Sequence, residues 1–349
     1  MPYRYRQPLP DTPLDIIGDV HGELEPLQAL LHQLGYNSDG SHPQGRKIVF
    51  VGDLCDRGPD SPAVLNWFFQ AHQAGNALMV LGNHELNLLV SDPKDGSGWF
   101  FPQRGNADTE RYAPWHILPD SEKSALTDWL AEQPLILERH DLRIVHAAWI
   151  ARTFPVLDAA YGESIVEQYR RFDDELKQQL RTADWYADYL DEQQRYKSLL
   201  DDADHLPPAM PATAQYELNR SRLHPIRALT SGIEHLAAKP FYAGGRWRFT
   251  ARYGWWNDYT DTVPVLIGHY WRSRYPQPPA PDRENILPAA GNAWHGANNN
   301  VFCVDFSIGA RWRDRKHGIP PQQSKFFLAA LRWPENVLVF HNGEREPTV

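Results

Sequence analysis

The chain has 349 residues, and its 35 Lys plus Arg against 44 Asp plus Glu give a formal net charge of −9, which excludes a broad basic face for nucleic acid. Hydrophobic residues at 42% and charged residues at 23% exclude disorder of the whole chain, and the length suits one large domain or a domain carrying an inserted subdomain. No apolar run approaches the roughly 18 residues of a membrane span, and Met1-Pro2-Tyr3-Arg4 lacks the apolar segment of a signal peptide, so the expectation is an unexported, cytoplasmic protein with no membrane partner.

Residues Leu14–Ile17 read as a strand that stops at Gly18-Asp19. Leu24, Leu27, Leu30, Leu31 and Leu34 then recur at helical spacing, closed by Gly35. The alternation repeats: 48–51 is a strand ending at Gly52-Asp53, and 63–71 is a helix with Pro62 suited to its first turn. A third strand, 78–81, ends at Gly82, before Asn83-His84-Glu85 and the start of a leucine-rich helix. Strands at 142–145, 263–267 and 301–306 end at His146, at Gly268-His269 and at Ser307-Ile308-Gly309. Between roughly 150 and 261 the character changes. Aromatic and aliphatic residues from Tyr169 to Leu200 follow a helical period on an acidic, Gln-rich background, predicting one or two amphipathic helices. A proline-rich loop through Pro207, Pro208 and Pro211 follows, then an aromatic and basic stretch from Arg246 to Trp256, and 276–300 reads as a long loop.

The strand ends carry the chemistry. Asp19 and His21, Asp53, Asn83 and His84, His146 and His269 supply carboxylate, imidazole and amide oxygen, the donors expected around two borderline metals such as manganese, iron or zinc. In Asp19-Val20-His21 an extended backbone sends alternate side chains to one face, so both could reach one ion. Any one of these residues alone reads as a turn cap; six potential ligands in linked motifs, Asp19, His21, Asp53, Asn83, His146 and His269, read as a metal site. His32, His42, His72, His116 and His140 lack that context and read as surface or satisfied core residues. Cys55 and Cys303 are too few for a disulfide framework and fit a reducing compartment, with a single bridge left open.

The motifs Gly18 to Gly22, Gly52 to Gly58 and Gly82 to Glu85, in that order, resemble those of the calcineurin-like metallophosphoesterases, and within them the phosphoprotein-phosphatase type. Asp56-Arg57-Gly58-Pro59-Asp60-Ser61 and the late Leu328-Ala329-Ala330-Leu331-Arg332 are similar to the bacterial branch that contains the symmetrical diadenosine tetraphosphate hydrolases. The resemblance implies an α/β fold, a layered β-sandwich flanked by helices. The phosphoesterase domain would be formed by 1–149 and 262–349, and 150–261 would be a mainly helical, cap-like insert. It implies that Asp19 and His21 hold a first metal, Asp53 bridges, and Asn83, His146 and His269 complete a second. His84 would be the general acid, Asp56 would orient it, and Arg57 with Asn83 would bind the substrate phosphate. Two departures stand out: Ala147-Ala148 follow His146 where glycine is usual, and Cys55 is expected to be a buried spectator rather than a redox thiol.

The activity expected is dimetal-dependent hydrolysis of a small phosphate ester or dinucleotide polyphosphate. A protein serine/threonine phosphatase is the alternative, and a phospho-ligand-binding regulatory protein of the same fold is the non-enzyme reading. Arg246, Arg248 and Arg252 are candidates for a second phosphate contact, and Trp247, Trp255 and Trp256 for a pocket wall. The oligomeric state stays open.

Overall fold

A computed structural model describes residues 2–276, 286–288 and 290–349. The first half of the chain runs β1 (Arg6–Pro8), β2 (Leu14–Ile17), α1 (Leu24–Leu34), β3 (Lys47–Phe50), α2 (Ser61–Gln73), β4 (Ala77–Met79) and α3 (Asn83–Leu89). Next come α4 (Gly105–Tyr112), α5 (Asp120–Leu130), β5 (Ile136–Arg139) and β6 (Leu142–Val145). Helices α6 (Phe154–Ala159), α7 (Ile165–Arg181), α8 (Tyr186–Tyr196), α9 (Pro211–Leu223) and α10 (Pro225–Ser231) then lead to the hairpin β7 (Glu234–Ala243) and β8 (Arg246–Arg252). The chain closes with β9 (Val265–Ile267), β10 (Val301–Cys303), α11 (Arg311–Lys316), β11 (Ala329–Trp333), β12 (Val337–Phe340) and β13 (Arg345–Pro347).

Two sheets carry the fold, one in the order β1-β5-β6-β9-β10 and the other β13-β12-β11-β2-β3-β4. Strand residues alternate between two apolar clusters because successive side chains leave opposite faces of a strand. Ile16, Val49, Ile144, Leu266 and Phe302 share the cluster that joins the two sheets. Their neighbours Ile17, Phe50, Val145, Ile267 and Cys303 belong to a second cluster with helix residues such as Leu27, Val64, Phe68 and Leu229. Both faces of the central strands are therefore buried, which explains their uninterrupted apolar runs. This is the layered α/β sandwich that the family resemblance implies.

Strands β2, β3 and β4 are mutually parallel, as are β6, β9 and β10. Six carboxyl ends thus open on one rim, the place where an open α/β sheet presents functional groups. Several boundaries differ from expectation. The run 301–306 pairs only at Val301–Cys303, because beyond it the Asp305 carboxylate turns to accept from the Trp271 and Ser307 N–H groups. The β7/β8 hairpin was not legible within the aromatic, basic stretch. Of the 276–300 loop, residues 277–285 and 289 lie outside the described residues.

In 150–261, α7 and α10 contribute Ile165, Tyr169, Phe172, Ile226 and Leu229 to the large outer cluster. Leu200, Met210, Ala214 and Phe249 form a small cluster of their own. Among the described residues no helix is long and apolar enough to cross a membrane.

Candidate metal centre

The rim gathers all six residues expected as ligands. Asp53, after β3, lies at the middle: its Oδ2 is 3.3 Å from His146 Nε2 and 4.0 Å from both His21 Nε2 and His84 Nε2. Asp19 Oδ2 is 3.9 Å from His21 Nε2, and its carboxylate accepts the His269 N–H. His269 Nδ1 meets Asn83 Oδ1 at 2.9 Å. Two groups could each hold an ion: His21, Asp53 and His84, and Asp53, His146 and His269, with Asp53 common to both.

The rings are held by their other nitrogens. His21 Nδ1 lies 3.0 Å from the Cys55 carbonyl and His146 Nδ1 2.7 Å from that of Val51, which makes each Nδ1 the donor and leaves Nε2 facing the centre. Buried His146 Nε2 makes no well-aligned hydrogen bond and has the Asp53 carboxylate 3.3 Å away, so the nitrogen is placed to serve as a ligand beside it. Burial opposes a charge on His146, but Asp53 outweighs it and lifts the imidazole to about 10. Burial would likewise raise the Asp53 carboxyl, yet His146, His84 and His21 hold it well below the usual carboxylate range. Burial keeps His21 and His269 neutral, aided by Arg57 at the first and Arg252 at the second. A buried carboxylate ringed by imidazoles is a donor set suited to divalent cations.

Backbone strain marks the same place. His21, Asp53, Asp56, Arg57, His269, Trp271 and Ser307 all take positive φ, at about 1–2 kcal/mol each for a side chain in the left-handed region. Close approach explains two glycines. A Cβ on Gly82 would stand 2.2 Å from Asp53 Oδ1, and one on Gly268 2.1 Å from Asp19 Oδ1.

Beside these groups lies a chain of hydrogen bonds. His84 Nδ1 meets Asp56 Oδ2 at 2.5 Å, and Trp99 Nε1 donates to the other Asp56 oxygen at 2.6 Å. Arg57 Nη1 lies 3.0 Å from His21 Nε2, with its guanidinium 5.1 Å from the Trp271 ring centre. Three structural supports escaped the sequence reading. Glu85 accepts from the N–H groups of Asp53, Leu54 and Gly82, locking the turns after β3 and β4 together. Its one available signal was the acid three residues after Gly82 at a helix start. Trp99 and Trp271 had no local motif.

Among the arginine candidates, Arg252 lies near enough to influence His269 and Asp305, and its guanidinium is 5.3 Å from the Tyr270 ring centre. Arg246 and Arg248 lie instead beside Glu217 of α9. The pocket-wall reading of the tryptophans is overturned for Trp255 and Trp256, which are 3% and 2% exposed and pack in the core. Trp255 Nε1 donates to the Ala147 carbonyl, filling the turn after His146. Trp247 packs on the small insert cluster and donates to the Asp202 carbonyl. Cys55 and Cys303 are free and buried, and burial pushes both thiols upward, to about 12 for Cys303, so neither is a ready nucleophile.

Residues 12–238 match the calcineurin-like phosphoesterase family. The chain belongs to this family. Over 131 residues it is 38% identical to a symmetrical bis(5'-nucleosyl)-tetraphosphatase of Chromobacterium violaceum, covering 38% of the chain and 41% of that relative. Over 74 residues it is 50% identical to an asymmetrical bis(5'-nucleosyl)-tetraphosphatase of Oceanobacillus iheyensis, covering 20% of the chain and 30% of that relative. The chain thus spans less than half the length of these curated relatives. A solved cold-active protein tyrosine phosphatase shares the fold, with a TM-score of 0.50 at 17% identity over 98% of the chain and 82% of its own. The calcineurin-like family binds a dimetal centre, and the two groups that meet at Asp53 are this member's candidates to hold it.

Proposed function

We propose that the protein is a dimetal-dependent hydrolase of small phosphate esters or dinucleotide polyphosphates, with manganese, iron or zinc as its ions, working in the cytoplasm. The observation that carries the reading is the meeting of Asp19, His21, Asp53, Asn83, His146 and His269 at one rim, with His146 Nε2 turned to the shared Asp53 carboxylate. These six residues are the proposed ligands, Asp53 being shared; His84, which also stands within reach of the first ion, is assigned to the leaving oxygen instead because Asp56 holds its ring through Nδ1. Bound metals would supply charge for the phosphate and an activated water.

The chain's own groups divide the remaining work. His84 holds a proton on Nε2 for the leaving oxygen, and Asp56, fixed by Trp99, keeps the ring oriented through Nδ1. Arg57 and Asn83 orient the phosphate, Arg57 through paired guanidinium donors. His21 Nε2, which meets Arg57 Nη1 at 3.0 Å, is the nitrogen that would hold an ion, and Arg57 beside it carries the donors for the phosphate. Arg252 is the arginine best placed for a second phosphate contact. The two free buried cysteines support a reducing compartment. Residues 150–261 form an inserted subdomain in this reading, supported by the separate cluster at Leu200, Met210, Ala214 and Phe249.

The test is hydrolysis of an aryl phosphate by metal-stripped protein with and without added manganese. Absence of metal-dependent turnover sinks the proposal. His84→Asn is expected to keep the metal and lose about 10²–10⁴-fold in turnover, whereas Asp53→Asn loses the metal. Equal metal loss in both would refute the division of roles.

A further inference from the structure

Leaving the centre at Arg57, cations and aromatic rings alternate along the surface. The Trp271 ring has the Arg57 guanidinium at 5.1 Å and that of Arg313 at 6.0 Å. Arg313 lies 5.4 Å from the Trp312 ring, and Arg111 lies 5.6 Å from the same ring. Tyr112 meets Trp312 edge-on at 5.2 Å, and a recess of about 100 Å³ between Arg111, Tyr112, Trp312, Arg315 and Lys316 ends the series. Of the acids on this path, Asp95 pairs with Arg104, Arg111 and Tyr112 and Glu23 with Arg315, while Glu110 also lines the recess. Its far half rests on α11, where Arg313, Arg315 and Lys316 stand against Asp314 in a chain whose net charge is −9.

The path is tied to the centre at both ends of its near half. Trp271 follows His269 by two residues and is held at positive φ by its N–H to Asp305. Gly309, two residues before α11, packs so closely on His21 that a Cβ would stand 2.2 Å from the ring. A single phosphate ester needs Arg57 and the metal ligands alone. A strip of guanidinium groups spaced by indole rings suits a longer anion that carries planar bases.

Building on the hydrolase reading, we infer that the strip Arg57–Trp271–Arg313–Trp312–Arg111 binds the part of a dinucleoside polyphosphate that lies beyond the phosphate attacked. Arg313 takes phosphate oxygens, Arg111 does so in exchange for its exposed pair with Asp95, and the Trp271 and Trp312 faces take a base. The strip is thus the determinant that favours such substrates over short esters, because remote contacts lower the barrier only for a substrate long enough to make them.

The experiment compares kcat/KM for diadenosine tetraphosphate and for an aryl phosphate in manganese-loaded wild type, Trp312→Ala and Arg313→Gln, with folding followed by circular dichroism. Each substitution is expected to lower the ratio of the two kcat/KM values about tenfold, the range of one lost base stack or charge contact, mainly through the KM of the dinucleotide. Arg313→Gln changes an exposed side chain, so the comparison survives if Trp312→Ala fails to fold. Ratios equal to wild type, or a wild type that turns over the aryl phosphate but not the dinucleotide, overturn the strip and leave the hydrolase reading standing. Failure on both substrates overturns both.

Discussion

Replacing Glu85 with Gln tests how the centre is held together. The carboxylate is fully buried and takes the Leu54 N–H on one oxygen at 2.7 Å and the Asp53 and Gly82 N–H groups on the other at 2.9 and 3.0 Å. Glutamine keeps the shape but presents an amide NH₂ where one oxygen stood, so at least one backbone N–H faces another donor. Bonds to a charged acceptor contribute about 1.5–3 kcal/mol each, and the charge is removed from all three. Loss of one and weakening of two gives a destabilisation of about 3 kcal/mol. Glu85→Ala leaves three buried donors unpaired at roughly 1–3 kcal/mol each and is expected to cost more. Equilibrium urea unfolding of the metal-free proteins measures both, and manganese titration reads whether Asp53 and Asn83 still converge. Stability within about 0.5 kcal/mol of wild type, with unchanged manganese affinity, would refute the claim that Glu85 couples the two turns.

Gly268→Ala is expected to push the Asp19 carboxylate aside and lower metal stoichiometry, with elemental analysis as the measurement, since the added methyl would stand 2.1 Å from Asp19 Oδ1. Trp99→Phe removes the donor to Asp56 but leaves the six proposed ligands, so kcat should fall roughly tenfold at unchanged metal content, the loss of one buried hydrogen bond of about 1.5 kcal/mol. Buried His224 accepts the Arg227 N–H on Nδ1 and donates from Nε2 to the Tyr169 carbonyl, and burial, with Arg227 nearby, depresses it to about 3. A base whose folded value lies below its unfolded value is stabilising when neutral. Its contribution is complete above about pH 6.5 and is lost as pH falls toward 3, with a slope of up to about 1.4 kcal/mol per unit. Urea midpoints measured from pH 7 to 4 should fall more shallowly in His224→Gln than in wild type. Deletion of 150–261 is expected to give insoluble protein, measured by the soluble fraction on expression, which would make the α7 and α10 part of the insert core rather than cap, because Ile165, Phe172, Ile226 and Leu229 share the outer cluster with Val145 and Ile267.

The rim is written in the local pattern of the chain. Apolar runs that stop at Gly18-Asp19, Gly52-Asp53, Gly82-Asn83, His146 and Gly268-His269 specify buried strands whose ends carry donors, because period and punctuation are local properties of the chain. The helices α1, α2, α7 and α8 were legible for the same reason, each showing its apolar face at a fixed spacing. Tertiary structure alone decided what surrounds the donors. Trp99 reaches Asp56 across 43 residues, Glu85 reaches the Asp53 turn across 32, and Trp271 gains its role from Arg57 and Arg313 on either side in the chain. Nothing in the local pattern separates Trp271 from Trp255 and Trp256, which share its aromatic, arginine-rich neighbourhood yet pack into the core. An indole serves as core or as wall according to which surface the sheets leave open, and that is settled only when distant segments pack.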